Sequence, residues 1–297
     1  MVFGDLDERS GGFLYDLKLV RSLEAAGDEV SVISQNEGAF SLANNGSRTL
    51  RNIEAARPDL VLIDELNHAA TFRLLPRLKK RLAVPVVAIV HHLRSEEAIG
   101  RIERAMERWI ERTFLREVDA FVFNSSATER SALALAPIAD RPRLVAYPGK
   151  DRYVADAAAA SAAARRRAQP QAARAPLRIL FIGNLIPRKN LDVLIRAAAS
   201  LPPRTWRLDV CGDERIDAAY ASRAALLARE LAGETVTFHG RLEDGRLAGL
   251  LAEADVLAVP SDLEGFGIVY LEAMAAGVVP VATSRGGAAE LVRDGVD

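Results

Sequence analysis

The chain has 297 residues, 49% of them hydrophobic and 27% charged, which is ordinary for a globular protein that is long enough for two domains. Its 39 basic and 40 acidic residues give a net charge of −1, so no global field would attract nucleic acid. The single cysteine excludes an intrachain disulfide, and no apolar run reaches the roughly 20 residues of a membrane-spanning helix. The start "MVFGDLDERSGG" has no signal-peptide features, and we expect a cytoplasmic protein.

Strand-like apolar runs alternate with helix-length segments from residue 12 to 147, and these runs are "DEVSVIS", "DLVLID", "VPVVAIV", "DAFVFNS" and "RLVAYP". Residues 154–176 are rich in alanine and arginine, which is typical of a linker or an exposed helix. The alternation then restarts with "LRILFIG", "RLDVCG", "TVTFHG", "ADVLAVPS" and "VVPVATS". We predict two α/β domains with parallel sheets, over 1–153 and 177–297, and a cleft between them where ligands bind.

Both ends of the chain look incomplete in the sequence. The first domain opens on "MVFG", a stub where a full first strand is expected. The last helix candidate, "GAAELVRDG", is followed only by two residues and stops at Asp297. We therefore expect a truncated or wrongly bounded chain, because a domain that ends there leaves a sheet edge or a helix face uncovered.

Common cofactor and metal motifs are missing. No G-x-G-x-x-G fingerprint and no G-x-x-x-x-G-K-[ST] loop occur, which disfavours a nicotinamide or flavin enzyme and a P-loop enzyme. The four histidines have no zinc-like spacing with one another or with Cys211. We therefore expect no metal and no cofactor.

The stretch "SDLEGFGIVYLEAMAAG", residues 261–277, carries two carboxylates around a glycine turn. A buried strand runs into this turn, so Glu264 precedes the next helix and Glu272 lies inside it. We expect the backbone N–H groups of 265–267, Gly265, Phe266 and Gly267, to face the cleft at a helix N-terminus, which favours an anion. A sugar nucleotide fits all three parts, with hydroxyls on the carboxylates and a diphosphate on the amides. The alternative is that both glutamates are solvated.

The segment "PSDLEGFGIVYLEAMAAGVVPVAT" resembles the donor-site signature of the retaining glycosyltransferases of the GT-B fold, glycosyltransferase family 4, in which seven residues separate two glutamates. The likeness extends to "SGGFLYDLKLVRSLEAAGDEVSVIS", "VAYPGKDR", "LFIGNLIPRKNLDVLIRAAASL" and "VTFHGRL". It implies two Rossmann-like, doubly wound parallel-sheet domains facing a cleft. It also implies a nucleotide-sugar donor that is bound mainly by the second domain.

The resemblance assigns roles to residues that would touch the donor sugar and ribose. Glu272 matches the ribose ligand, and Glu264 matches the residue that holds the sugar beside the reacting carbon. His91, at the end of "VPVVAIV", resembles the active-site histidine that contacts the sugar, and His92 is the alternative. A single histidine at a strand end is more often structural, so only the resemblance supports this role.

Other positions resemble the family's diphosphate site. Arg188 and Lys189 match the basic pair that neutralises the leaving diphosphate, which fixed cations stabilise most in the transition state. An exposed charge pair is the alternative. Many members have arginine after the strand glycine, whereas Asn184 follows Gly183 here. This departure predicts either compensation by Arg188 or weaker phosphate binding.

Gly11 and Gly12 match the glycine turn that lets the backbone approach the donor phosphates or the acceptor. A plain tight turn would need the same two glycines, and this reading stays open.

Residues 99–118 predict an amphipathic helix. Its apolar stripe comprises Ile99, Ile102, Met106, Trp109, Ile110 and Phe114, and a row of arginines comprises Arg104, Arg108, Arg112 and Arg116. The row could contact anionic lipid or a lipid-linked acceptor at the inner face of a membrane. Glutamates at 103, 107 and 111 run alongside, and we expect them to ion-pair the row on a solvated face.

The sequence and the resemblance together predict a retaining, metal-independent glycosyltransferase that moves a sugar to a sugar, glycan or lipid-linked acceptor. Front-face attack and a covalent intermediate both remain open as mechanisms. One alternative is a catalytically inactive fragment that binds a sugar nucleotide or a partner. Another is an epimerase or hydrolase of the same fold.

Overall fold

The structure is a computed structural model that describes residues 2–3, 11–35, 45–97, 99–149 and 176–296. The chain divides into two compact units, unit 1 (Met1–Pro148) and unit 2 (Gly149–Asp297). The predicted linker, 154–176, lies outside the described residues except for its last residue.

Unit 1 is built from strands and helices in alternation. Its strands are β1 (Val2–Phe3), β2 (Ser34–Gln35), β3 (Val61–Asp64), β4 (Val86–Val90), β5 (Ala120–Phe123) and β6 (Arg143–Val145). Its helices are α1 (Gly11–Ala26), α2 (Asn45–Ala56), α3 (His68–Thr71), α4 (Leu75–Leu82), α5 (Arg101–Glu117) and α6 (Ser126–Leu135). Short 3-10 turns span Glu65–Asn67 and Arg94–Glu96.

The main sheet of unit 1 is parallel, with the strand order β3-β4-β5-β6. Ile63 pairs with Ala88, and Ala88 pairs with Phe121. Ala88 and Ile89 are both buried, and consecutive residues of a strand point to opposite faces, so both faces of β4 are covered. This explains the continuous apolar sequence "VVAIV" of that strand.

One predicted strand of unit 1 is much shorter than expected. The run "DEVSVIS", residues 28–34, enters a strand only at Ser34, and β2 pairs with the two residues of β1. Val32 is exposed. The apolar alternation therefore predicted too long a strand. Among the described residues, the pairing between β1 and β2 begins only at Ser34.

Unit 2 repeats the alternation. Its strands are β7 (Leu177–Ile182), β8 (Trp206–Cys211), β9 (Val236–Gly240), β10 (Val256–Val259) and β11 (Val279–Ala282). Its helices are α7 (Leu191–Ala199), α8 (Ala218–Ala232), α9 (Asp244–Glu253), α10 (Ile268–Ala275) and α11 (Ala288–Leu291). A 3-10 turn, Pro187–Lys189, precedes α7. Each strand coincides with a predicted apolar run.

The sheet of unit 2 is parallel, in the order β11-β10-β7-β8-β9. The chain moves outward from β7 to β9 and then returns to place β10 on the other side of β7. The strand order therefore reverses between β7 and β10. In open parallel sheets the loops that leave the carboxyl ends diverge at such a point and form a ligand crevice. Each unit is a parallel α/β domain, as predicted.

The loops after β7 and β8 pack backbone against backbone. The amide of Gly183 donates to the carbonyl oxygen of Cys211 at 2.9 Å. A Cβ atom on Gly212 would lie 1.8 Å from the carbonyl oxygen of Gly183, which is far inside van der Waals contact. Only glycine fits at position 212 in this arrangement.

Replacing Gly212 with alanine is expected to lower the free energy of unfolding of unit 2 by about 3 kcal/mol, because the new methyl group forces the two loops apart. Urea unfolding followed by Trp206 fluorescence, in a Trp109→Phe background, measures this change. The matched control is Gly245→Ala in α9, where a Cβ atom would have nothing within 4 Å. Equal unfolding midpoints for the two variants would contradict the packing described here.

Candidate functional site

The predicted donor-site residues of unit 2 lie on two loops that follow the neighbouring strands β7 and β10. Hydrogen bonds join these loops to each other. Asn190 donates from Nδ2 to the carbonyl oxygen of Pro260 at 3.0 Å and to Oδ1 of Asp262 at 2.8 Å. The amide of Asp262 donates to the carbonyl oxygen of Arg188 at 2.9 Å. The two loops are therefore held together at the point where the strand order reverses.

The central contact of the site is an ion pair between Lys189 and Glu264. Nζ of Lys189 donates to Oε1 of Glu264, and the hydroxyl of Ser261 donates to the same oxygen at 2.7 Å. The two charged side chains are only 13% and 8% exposed. The sequence placed these residues in one site, and the structure brings them into direct contact.

The charges around this pair shift both pKa values. Burial alone would raise the pKa of Glu264, but Lys189 and Arg188 reverse the direction and hold that pKa below its usual range. Burial lowers the pKa of the Lys189 ammonium, Arg188 adds to the shift and Glu264 opposes it. The site therefore combines an ionised carboxylate with two cations in a place that excludes most water, and such a place strengthens their effect on a bound anion.

Arg188 has a structural contact as well as a charge. Its Nη1 donates to the carbonyl oxygen of Leu263 at 2.6 Å, which ties the loop after β7 to the turn before Glu264. Lys189 lies over Gly183, because a Cβ atom there would be 3.5 Å from Cε of the lysine. Asn184 is half-buried in the same loop.

The turn between Glu264 and α10 depends on glycine. Gly267 has a φ of +91°, and a Cβ atom on it would lie 2.5 Å from the ring of Tyr270. Helix α10 follows at once, and Glu272 within it is buried, as is Phe266 in the turn. The alternative in which Glu272 is solvated is therefore wrong. The roles predicted for the amides of 265–267 stay predictions.

Sequence reasoning missed a second pair of glycines. A Cβ atom on Gly286 would lie 2.1 Å from the carbonyl oxygen of Glu264, and one on Gly287 would lie 2.1 Å from that of Gly265. The amide of Gly287 donates to the carbonyl oxygen of Glu264 at 2.8 Å. The loop after β11 thus packs on the donor-site turn. The dipeptide "GG" in the loop after a predicted strand was the signal in the sequence.

In unit 1, His91 is buried at the end of β4 in a cluster of carboxylates. Its Nε2 lies 3.1 Å from Oδ1 of Asp16, a residue of α1 that the sequence did not single out. The ring of Tyr15 contacts the imidazole edge-on at 5.3 Å between centroids. A Cβ atom on Gly12 would lie 3.4 Å from the imidazole, so two predicted residues, Gly12 and His91, are in contact. Gly11 is the exposed first residue of α1.

The carboxylates determine the charge of His91. Burial would lower the pKa of His91, but the hydrogen bond and charge of Asp16, together with Asp64, raise it to about 9. Burial in turn raises the pKa of Asp64 to about 6. Nε2 of His92 instead lies 2.9 Å from Oε1 of Glu97 in a partly exposed position. The fold thus holds His91 as a buried cation at neutral pH.

The expected pairing of the α5 glutamates with the arginine row is wrong. Oε1 of Glu103 lies 3.4 Å from Nη2 of Arg94, which is outside the row. Glu107 and Glu111 are buried on the same helical face as Phe114, which is turned to the core. Oε2 of Glu107 lies 2.9 Å from Nε2 of His68, and Oε1 of Glu111 accepts from the amide of Ser95 at 3.1 Å. Helical spacing alone could not indicate these partners, because they lie on other segments.

Within the described parts of the chain, no helix is both long and apolar enough to cross a bilayer.

Two family models match the chain. The model described as Glycosyltransferase Family 4 matches residues 11–152, and the model described as Glycosyl transferases group 1 matches residues 163–297. The D-inositol 3-phosphate glycosyltransferase of Nocardia farcinica is 35% identical over 232 residues, which are 73% of this chain and 50% of that protein. The Mycobacterium avium protein of the same name is 34% identical over 229 residues, with 73% and 52% covered. The chain spans about half the length of these curated relatives.

Solved structures share the fold at low sequence identity. Anabaena Alr3699/HepE in complex with UDP and glucose has a TM-score of 0.72 and 21% identity, covering 99% of this chain and 83% of that chain. Sucrose-phosphate synthase from Thermosynechococcus elongatus has a TM-score of 0.75 and 20% identity, covering 94% and 77%. The chain therefore shares its arrangement of strands and helices with these two proteins.

The structure predicts that His91 stays protonated at neutral pH. Its folded pKa of about 9 lies above the roughly 6.5 of an unfolded chain, so its stabilising effect is full below about pH 6.5. That effect is lost as the pH rises through about 9. Asp16→Asn removes the adjacent charge, and we expect the pKa of His91 to fall in this variant.

An NMR titration of the imidazole Cε1–H protons, with His91 assigned by a His91→Gln variant, measures this shift. His92 is the internal control, because its partner Glu97 is untouched in Asp16→Asn. A midpoint near 6.5 for His91 in the unmodified chain would contradict the electrostatic account.

Proposed function

Because the chain belongs to the GT-B glycosyltransferases that join a family 4 domain to a group 1 domain, we propose that it transfers a sugar from a nucleoside-diphosphate donor to an acceptor hydroxyl. The observation that carries the proposal is the Lys189–Glu264 contact between the loops after β7 and β10. Two cations and the buried Glu264 meet there at the switch point of a parallel sheet, and the buried Glu272 lies on the helix that follows.

In this proposal the cations of unit 2 act on the leaving group. Departure of a nucleoside diphosphate develops negative charge, and Lys189 and Arg188 would stabilise that charge more in the transition state than in the ground state. A diphosphate that takes Lys189 as its counter-ion would free Glu264 to accept hydrogen bonds from the sugar hydroxyls. Glu272 would hold the ribose.

The solved neighbours and the curated relatives supply the first donor and the first acceptor to test. The Anabaena protein is complexed with UDP and with UDP-glucose, and we propose a UDP-sugar as the first donor to test. The curated relatives are named for D-inositol 3-phosphate, which makes a phosphorylated polyol the first acceptor to test. Transfer is proposed to retain the anomeric configuration and to need no metal at the diphosphate, since two cations already lie there.

His91 would contribute from unit 1. A buried imidazolium offers a charge-assisted hydrogen bond to an oxygen of the donor sugar or of the acceptor. Asp16 would fix the orientation of the ring through Nε2, so that the remaining nitrogen is the donor available to substrate. His91 therefore supplies a directed positive charge in this proposal.

A contact with a membrane surface is a further part of the proposal. Ile102, Met106 and Trp109 on α5 are 89%, 53% and 57% exposed, so the predicted apolar stripe is not in the core at these positions. Arg104 and Arg108 are exposed on the same helix. An apolar and basic helix surface favours the interface of an anionic membrane.

Sedimentation of the chain with anionic vesicles, compared with that of the Trp109→Ala variant, tests the membrane contact. The cytoplasmic location stays a prediction.

Calorimetric titration with UDP, GDP and ADP tests the donor site. We expect one of the three nucleotides to bind, with UDP the first choice, and we expect Glu272→Ala to weaken that binding by about 10- to 100-fold through the loss of hydrogen bonds to a charged group. The matched control is Glu230→Ala, on the exposed face of α8. A second step measures turnover and the anomeric configuration of the product by ¹H NMR.

A folded chain that binds none of the three nucleotides would contradict the proposal. A chain that binds a nucleotide without any transfer to the acceptors tested would favour the alternative of a binding module without catalysis. Consumption of donor without acceptor would favour a hydrolase or an epimerase.

A further inference from the structure

We propose that unit 1 contains a structural site for one divalent transition-metal ion, with Glu65, His68 and Glu111 as its ligands. Glu65 directly follows β3, His68 begins α3, and Glu111 lies on α5. One ligand atom from each residue can be chosen so that all three lie within 4.8 Å of one another. A single ion could bind all three after a small contraction, because metal–ligand bonds of about 2 Å hold ligand atoms slightly closer together.

Polar atoms without hydrogen-bond partners point to a missing ligand. Glu65 is 0% exposed; among the described residues its Oε1 makes only an ion-pair contact with His68 at 3.2 Å, and its Oε2 has no hydrogen-bond partner. The same holds for Oε2 of Glu111, which is also fully buried. Buried carboxylates are normally hydrogen-bonded or bound to a cation, because an unsatisfied polar group in the interior is costly. A metal ion would satisfy these oxygens together.

The Nε2 side of His68 has the outer carboxylate partner that a metal-ligating histidine usually has. Nε2 of His68 lies 2.9 Å from Oε2 of Glu107, and Nε of Arg94 lies 3.2 Å from the other oxygen of that glutamate. The remaining ring nitrogen, Nδ1, lies 2.9 Å from the backbone carbonyl oxygen of Glu65 and 3.2 Å from Oε1 of the same residue, so a bound ion would replace the proton on this nitrogen. A carboxylate that accepts the outer N–H of a ligating histidine fixes its tautomer and orientation. Glu107 has this position.

The donor set selects the class of ion. One imidazole nitrogen and two carboxylate oxygens suit Zn²⁺ and its first-row neighbours, whereas Mg²⁺ and Ca²⁺ prefer oxygen ligands alone. The ion would link the segment after β3 to α5 and neutralise a cluster in which acidic groups outnumber histidine. The proposed role is structural, and it does not depend on the glycosyltransferase proposal.

The test uses the full chain, stripped of metal by a chelator and checked for folding by circular dichroism. Co²⁺ serves as an optical probe and Zn²⁺ as the stabilising ion. We expect one Co²⁺ per chain with visible d–d absorption, displacement by Zn²⁺, and a higher unfolding temperature with Zn²⁺ than with the same concentration of Mg²⁺.

Variants separate this site from adventitious binding. Glu65→Gln keeps the shape of the side chain and is expected to abolish stoichiometric binding and the rise in unfolding temperature. Glu107→Gln is expected to weaken binding by about 10- to 100-fold, as loss of an outer partner of a ligating histidine does. Glu117→Gln, at the end of the same helix and outside the cluster, should bind like the unmodified chain.

Two outcomes would overturn the proposal. One is a folded, unmodified chain that binds no stoichiometric Co²⁺ or Zn²⁺. The other is a folded Glu65→Gln variant that binds the ions as the unmodified chain does.

Discussion

The buried ion pair between Lys189 and Glu264 is the interaction on which the proposed donor site depends. It connects loops that are 75 residues apart in sequence, and it exists only because the sheet order places β10 beside β7. A buried pair is stable when further hydrogen bonds complete its geometry. Ser261 supplies such a bond to the carboxylate, while Asn190 and Arg188 hold the two loops in register.

Unit 1 uses the same physical principle, a buried cation beside a carboxylate, with a histidine as the cation. There the cation is the imidazolium of His91, and Asp16 is its counter-ion at 3.1 Å. Both arrangements keep a charge fixed in a poorly hydrated place, so little reorganisation is needed when charge develops on a substrate. Glycines on both units allow these groups to be approached closely, Gly12 at the imidazole and Gly286 at the backbone of Glu264. The proposed sugar transfer uses electrostatic groups that are already in position.

Local patterns in the sequence predicted much of this structure. The strand, glycine turn and helix around Glu264 and Glu272 were readable because each step is encoded within a few residues. Asp16, Gly286 and the buried partners of Glu107 were missed, since their contacts depend on which segments the fold brings together. The apolar run 28–34 predicted a strand, but among the described residues only Ser34 of this run pairs with β1. Local periodicity identifies elements, whereas the sheet order decides which side chains meet.

A double-mutant cycle on Lys189→Met and Glu264→Gln tests the central claim most directly, with unfolding of unit 2 followed by Trp206 fluorescence. Each single variant leaves one buried charge without its main partner and is predicted to lower the free energy of unfolding by about 3 kcal/mol. The double variant is predicted to lose about 4 kcal/mol instead of the additive value of about 6 kcal/mol, which gives a coupling energy of roughly 2 kcal/mol. Effects that simply add, within about 0.5 kcal/mol, would contradict the claim that this ion pair holds the site together.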